Sequence, residues 1–263
     1  MDHTAADPQF RIPDLAGKAI LVTGASTGIG AAVALALGRQ GAKVAVHYNA
    51  SAEQAETVAA SIRDAGATAE LVQGDMAEEG VSEAVVEAAA ARLGGLDGLI
   101  NNAGGMLGRI AFGDVTDAHY ERVMNLNARS VLAASRAAVP HLQAKQGFII
   151  NTTSIAARHG GGPGSSLYAA SKGFVSTITR GHAKELVGLG IRVNGVSPGV
   201  IATPFHERYS TKEQLETARA TIPMQRLGEA QDCVGAYLFL ASAALSGFVT
   251  GQIIEVNGGQ LMP

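Results

Sequence analysis

Short runs of uninterrupted apolar residues alternate along this chain with longer Ala-rich stretches in which polar side chains recur at helical spacing. Ala19–Val22 is wholly apolar and too short for a helix, so it reads as a strand covered on both faces. A helix is expected over about 28–40, with Gly41 as its C-terminal stop. Residues 43–47 read as the second strand, and Ala52–Asp64 as a helix ended by Gly66. Residues 68–72, 98–100, 148–151, 191–196 and 252–256 bring the total to about seven strands, with helices between them. This alternation predicts an α/β fold, a doubly wound parallel sheet with helices on both faces. Such sheets bind ligands beyond the carboxyl ends of their strands, where strand order reverses.

Composition narrows the picture. No Pro/Ser-rich linker, charge run or repeat divides the 263 residues. One domain over 15–263 is therefore expected, after a flexible, polar and acidic extension over 1–14. Hydrophobic residues make up 47% but aromatics only 5%, so the core must be built from Ala, Val, Ile and Leu. A net charge of −3 is too small for a nucleic-acid surface. No apolar run approaches the ~20 residues that span a bilayer, and the N-terminus has no signal-peptide core, so the cytoplasm is expected. The single cysteine, Cys233, excludes an internal disulfide and reads as buried packing. The histidines are scattered and form no metal set.

Two groups of residues carry chemistry. Directly after the first strand, Thr23-Gly-Ala-Ser-Thr-Gly-Ile-Gly30 places Gly24, Gly28 and Gly30 where a helix begins. Glycines there allow positive φ and let a pyrophosphate reach the backbone, and the helix N-terminus favours the anion. The spacing differs from the usual G-x-G-x-x-G fingerprint, and a purely structural turn is the alternative. Further on, Tyr168 and Lys172 are four apart in a helical stretch and share one face. Lowering a tyrosine from pKa ~10 to ~7 requires about 4 kcal/mol. An ammonium at ~4 Å supplies about that at an effective dielectric of 20. The pair is then a general acid/base near neutrality, against the plainer reading of two solvent-facing side chains. Ser154 follows the fifth strand and could hold a substrate oxygen or merely cap the turn, with Thr153 its rival.

These motifs, in this order and spacing, resemble the short-chain dehydrogenase/reductase family from about Leu15 to Gly259. The match covers Thr23 to Gly30, Asn101-Asn-Ala-Gly104, Asn127, Ser154, Tyr168-x-x-x-Lys172 and Ser197-Pro-Gly199 through Thr203. The resemblance implies a Rossmann-type catalytic domain using a nicotinamide cofactor, with Asn127, Ser154, Tyr168 and Lys172 as the catalytic group. It implies that Ser26, Thr27 and Ile29 flank the phosphates beside the glycines. Asp75, with Met76 beside it, would meet the adenine edge, and Asn102, Ala103 and Gly104 would pack on the adenosine ribose. Lys172 would also bind the nicotinamide ribose, while Pro198, Ile201 and Thr203 would border the carboxamide. Asn127 would hold a water linked to Lys172. The stretch His159-Gly-Gly-Gly-Pro-Gly164 departs from the family by its glycine content, and His159 reads as a loop residue or a substrate contact.

The expected activity is the interconversion of a carbonyl and a secondary alcohol of a small free substrate, a ketone, alcohol or sugar. The alternatives are a 3-oxoacyl-(acyl-carrier-protein) reductase and a catalytically silent cofactor-binding scaffold. Positions matching the basic carrier contacts beside the active-site mouth read Lys145 and Leu189, so one of two charges is lost. After strand two, Tyr48, Asn49 and Ser51 stand where NAD enzymes place a carboxylate for the ribose 2′-hydroxyl. NADP(H) is therefore expected over NAD(H), by a small margin, since Thr27 is not basic. A substrate lid is expected over about 202–226. The resemblance also implies a homotetramer, pairing helices over about 117–145 and 167–189, with 251–263 at a second interface.

Overall fold

A computed structural model describes residues 11–262. Strands β1 (Ala19–Val22), β2 (Lys43–Tyr48), β3 (Ala69–Gln73), β4 (Gly98–Asn101), β5 (Phe148–Thr152) and β6 (Arg192–Pro198) each lie within two residues of their expected ends. Two-residue strands β7 (Ile201–Ala202) and β8 (Gly228–Glu229) pair separately, and β9 (Ile253–Val256) is the seventh strand of the main sheet. That sheet is parallel throughout, in the order β3-β2-β1-β4-β5-β6-β9. The order reverses between β1 and β4, so a crevice opens beyond their carboxyl ends.

Helices α1 (Gly28–Arg39), α2 (Ala52–Asp64), α3 (Val81–Leu93), α4 (Asp117–Met124), α5 (Ser130–Gln143), α6 (Ala156–His159), α7 (Ser166–Leu186), α8 (Pro204–Tyr209), α9 (Lys212–Thr221), α10 (Ala230–Ala241) and α11 (Ala243–Ser246) complete the chain. One face of the sheet is covered by α1, α2 and α10, through Val33, Leu37, Ile62 and Tyr237. The other is covered by α3, α5 and α7, through Val86, Ala134, Leu142 and Ala183. Because side chains alternate across a strand, Ile20 and Val22 enter the first layer and Ala19 and Leu21 the second. Cys233 is buried in the first.

Polar pegs fix α5 and α7 against the sheet. Asn101 Nδ2 donates to Ser135 Oγ (3.1 Å) and to Asn151 Oδ1 (2.9 Å), and Asn151 Nδ2 donates to Thr179 Oγ1 (2.9 Å). Each atom is buried, so the bonds must form together or leave costly orphans.

Two expectations are corrected. The N-terminal boundary at 15 is too late. Ile12 is buried, and the Asp14 carboxylate accepts from Ser242 Oγ (2.8 Å) and the Ala244 amide (3.0 Å). Apolar burial and a helix-end cap thus tie down residues 12–14, while residues 1–10 lie outside the described structure. The helix expected over 117–145 is interrupted by a π-helical turn, Asn125–Arg129. Its cause lies in the site.

Candidate active site

The glycine turn is held from three sides. Gly24 has φ +62° and Gly28 φ +58°, values that admit glycine readily. The Gly24 amide donates to His47 Nδ1 (2.9 Å), and His47 Nε2 reaches Gly74 O (3.1 Å), so one buried imidazole joins the ends of β2 and β3 to the turn. Burial drives the pKa of His47 down to about 4, which keeps the ring neutral and able to accept. Thr23 Oγ1 accepts from the amides of Asn102 (2.9 Å) and Ala103 (3.0 Å), and Asn102 Nδ2 returns bonds to the carbonyls of Thr23 and Gly24 (both 3.0 Å). The motifs after β1 and β4 are thereby one unit. Sequence reasoning missed His47 because nothing in a strand residue's spacing shows what its ring meets.

A cleft of 860 Å³ opens over these loops and runs to α8 and α9. Gly24, Ser26, Thr27, Gly28 and Ile29 line it at the turn, followed by Tyr48, Asn49, Ser51, Asp75 and Met76. Asn102, Ala103 and Gly104 form its floor, and Tyr168, Lys172, Pro198, Ile201 and Thr203 its inner end. Gly30 does not line it; a Cβ there would collide with Gly24 O and Asn102 Nδ2, so this glycine lets α1 sit against the turn. Thr27, at the N-cap of α1, makes no side-chain capping bond, which leaves the first amides without a side-chain acceptor. The pyrophosphate of a nicotinamide dinucleotide would be held by that cradle. Asp75 is not a loose carboxylate: it accepts from the Ala77 amide (2.9 Å) and from Arg122 (2.6 Å), and these bonds hold its pKa low despite opposing burial.

At the inner end Lys172 is buried, and its Nζ donates to Thr152 O (2.8 Å) and sits 5.9 Å from the Tyr168 ring centre. Burial pushes Tyr168 up to about 12, a hydrogen bond from Ser154 only partly offsetting it, and pulls Lys172 down to about 8. The expected depression of Tyr168 is therefore not a property of the protein alone. Desolvation wins: burial of the Tyr168 hydroxyl is the largest effect, the Lys172 ammonium is turned to the Thr152 carbonyl, and the Ser154 hydrogen bond offsets only part of the burial. Ser154 caps the turn, its Oγ accepting from the Ala156 amide (3.1 Å), and its hydroxyl also bonds Tyr168. Thr153 faces elsewhere. Its hydroxyl donates to Lys172 O (3.1 Å) and meets Ser176 Oγ (2.5 Å), anchoring α7 one residue from the site.

Asn127 is buried behind the cleft wall rather than on it. Its Nδ2 donates to Gly105 O (2.8 Å) and Val123 O (2.9 Å), and its Oδ1 accepts from the Gly105 amide (3.0 Å). This grip explains the π-helical turn: gaining the Gly105 backbone offsets the irregular helix, as π-bulges at functional sites often do. A Cβ on Gly104 would lie 2.7 Å from Asn127 Oδ1 and 3.2 Å from Lys172 Nζ, so glycine is what lets the two converge.

The segment expected as the substrate lid holds α8 and α9. Phe205 stacks 5.5 Å from the Tyr168 ring, and Tyr209 lies 5.1 Å beyond it. The glycine-rich segment faces them: His159, Gly161, Gly162 and Pro163 line the cleft, with positive φ at Gly160, Gly161 and Gly164. Lys145 and Leu189, in contrast, precede β5 and β6, at the sheet edge opposite the cleft. Within one chain they are not beside the mouth, because a parallel sheet puts every strand start on the far edge. Among the described residues no group of three metal-ligating side chains occurs, and no helix is long and apolar enough to cross a membrane.

Comparison with known proteins finds similar reductases and dehydrogenases over nearly the whole chain. A family model described as enoyl-(acyl carrier protein) reductase matches residues 24–260. A 3-oxoacyl-[acyl-carrier-protein] reductase of Synechocystis is 36% identical over 253 residues, covering 94% of this chain and 98% of that protein. Among solved structures, an NADH-dependent reductase A1-R′ responsible for alginate metabolism superposes with a TM-score of 0.88 at 40% identity, covering 95% of this chain and all of that one. A short-chain dehydrogenase from Burkholderia cenocepacia J2315, solved in complex with NADP, gives 0.88 at 36% identity, covering 94% of this chain and 99% of that one.

Proposed function

The chain belongs to the short-chain dehydrogenase/reductase family of NAD(P)-dependent oxidoreductases, and from that premise we propose that it interconverts a carbonyl and a secondary alcohol of a small free substrate. The observation that carries this reading is the convergence of Tyr168, Ser154 and Lys172 at the inner end of the cleft, under a lid. A bound nicotinamide supplies or accepts the hydride. Tyr168 Oη gives its proton to the carbonyl oxygen as the alcohol forms, and takes it back in the reverse direction. The Ser154 hydroxyl holds that oxygen in line with Tyr168. Lys172 keeps a positive charge beneath the phenol, and Phe205 shields the face of Tyr168 from water. With both Tyr168 and Lys172 present, the silent-scaffold alternative loses its basis.

We favour NADP(H) over NAD(H) by a small margin. Tyr48, Asn49 and Ser51 line the cleft at the end of β2 and none of them is acidic, but the Asp75 carboxylate bonds Asn49, and Arg122 nearby is already paired with Asp75 and Glu78. A homotetramer is also proposed, supported by apolar side chains left outside the fold: Phe248, Leu245 and Met262 near the C-terminus, and Leu132 and Phe174 on α5 and α7.

The carrier-protein reductase reading is favoured by the Synechocystis relative. Against it, Leu189 lacks the charge of the matching position, and Lys145 is remote from this chain's own cleft. A substrate panel read by cofactor absorbance tests the proposal. Acetoacetyl thioesters, diketones, polyols and cyclic alcohols should include free small molecules turned over with NADPH or NADP. Turnover of thioesters alone would favour the carrier reading, and no turnover of any would sink both.

A further inference from the structure

The half of the cleft beyond Tyr168 is lopsided in charge. Arg109, His159, His206 and Arg208 line it, against one acid, Glu213. His206 is held neutral, with a pKa near 4 imposed by burial and by the charge of Arg109, and Arg109 and Arg208 bring standing positive charge. Arg122, the arginine at the other end of the cleft, is neutralised by Asp75 and Glu78. Among the described residues no carboxylate pairs with Arg109 or Arg208.

Arg109 is also aimed. Its Nε donates to Tyr209 O (2.6 Å) on the lid, and its Nη1 donates to Pro163 O (3.0 Å) in the glycine-rich loop. The Ile110 amide donates to Gly164 O (3.0 Å), so the segment after β4, the loop and the lid meet at this side chain. Both of its acceptors are neutral carbonyls, which orient a guanidinium without cancelling its charge. Nη2 keeps its donors for another group. Arg208 lies over the Tyr209 ring, 6.0 Å from its centre. The rings of Tyr168, Phe205 and Tyr209 form a continuous wall from the proton donor to this cationic end.

We propose that the substrate is an oxo acid, its carbonyl at Tyr168 and its carboxylate at the far end of the aromatic wall, received by Arg109 with Arg208 in support. The planar fork of a fixed guanidinium matches a carboxylate, and Arg208, exposed on α8, adds an attraction that salt screens. This substrate class rests on the carbonyl–alcohol reading above. It adds that a carboxylate several carbons from the reacting carbonyl governs binding rather than chemistry.

The test uses oxo acids of graded length, each paired with its methyl ester, and kcat/KM with reduced cofactor for the full-length enzyme and four variants. For the best acid the wild type should exceed its ester by about tenfold or more, the worth of one charge-assisted contact. Arg109→Met should collapse that ratio mainly through KM. Arg109→Lys should restore part of it. Arg208→Met, which disturbs no loop contact, should lower the ratio by a smaller factor, and Glu213→Gln should raise it. The KM for the acid, but not for the ester, should climb with salt. Equal use of acid and ester by the wild type, or a ratio that survives both Arg109→Met and Arg208→Met, would overturn the proposal while leaving carbonyl reduction standing. Reduction of no carbonyl at all would remove the reading on which it rests.

Discussion

At the scale of single residues, the protein and the expected chemistry pull in opposite directions. Tyr168, pushed to about 12, keeps its proton across the neutral range, and Lys172, at about 8, keeps its charge only below that value. Reduction needs the phenol, which is present as it stands; oxidation needs the phenolate, which is scarce. Measured from about pH 6 to about pH 10, kcat/KM for reduction should be flat at first and fall above about pH 8, while oxidation climbs with pH. Reduction that climbs through the same range would contradict this assignment. The Tyr168–Lys172 spacing was legible in sequence because a helix fixes which residues share a face. The pKa values were not, since they depend on where Nζ points and how dry the site is.

At the scale of elements, β2 earns its place through His47. The folded state holds this ring near pKa 4 against 6.5 for a free histidine, so below about 6.5 the unfolded chain binds a proton that the fold refuses. Stability should therefore decline as pH falls from about 6.5 toward 4, with His206 adding to the same window. His47→Leu should flatten part of that decline. It should also cost ~1–3 kcal/mol by stranding the Gly24 amide, and weaken cofactor binding by loosening the turn. An unchanged denaturant midpoint would argue that the turn stands without its imidazole. Strand positions were readable because buried parallel strands are short apolar runs between glycines. The π-helical turn was not, because its cause is a grip between Asn127 and Gly105, about twenty residues apart. Arg109 was equally hidden: a lone arginine in a glycine-rich segment gains its orientation only from Tyr209 and Pro163.

At the scale of the whole molecule, the fold leaves several large apolar side chains exposed. Phe248 is fully exposed, beside Leu245, on the loop before β9. If these side chains are covered by symmetry-related copies, light scattering after gel filtration should give four chains at micromolar concentration. Phe248→Glu should then split the assembly into dimers. A monomer for the wild type would remove the proposal. Domain number and layer order followed from composition and alternation, whereas assembly depends on which apolar groups the fold leaves outside.

The central claim is that Tyr168 transfers the proton that accompanies hydride transfer. It is tested most directly by single-turnover absorbance of the reduced cofactor with a carbonyl substrate, comparing the wild type with Tyr168→Phe. The substitution removes one hydroxyl in a site otherwise held by Ser154, Lys172 and Phe205, so cofactor affinity should be retained. The rate of cofactor oxidation should fall by ~10²–10⁴-fold, the usual worth of a general acid. A Tyr168→Phe enzyme that oxidises the cofactor at the wild-type rate would contradict the account.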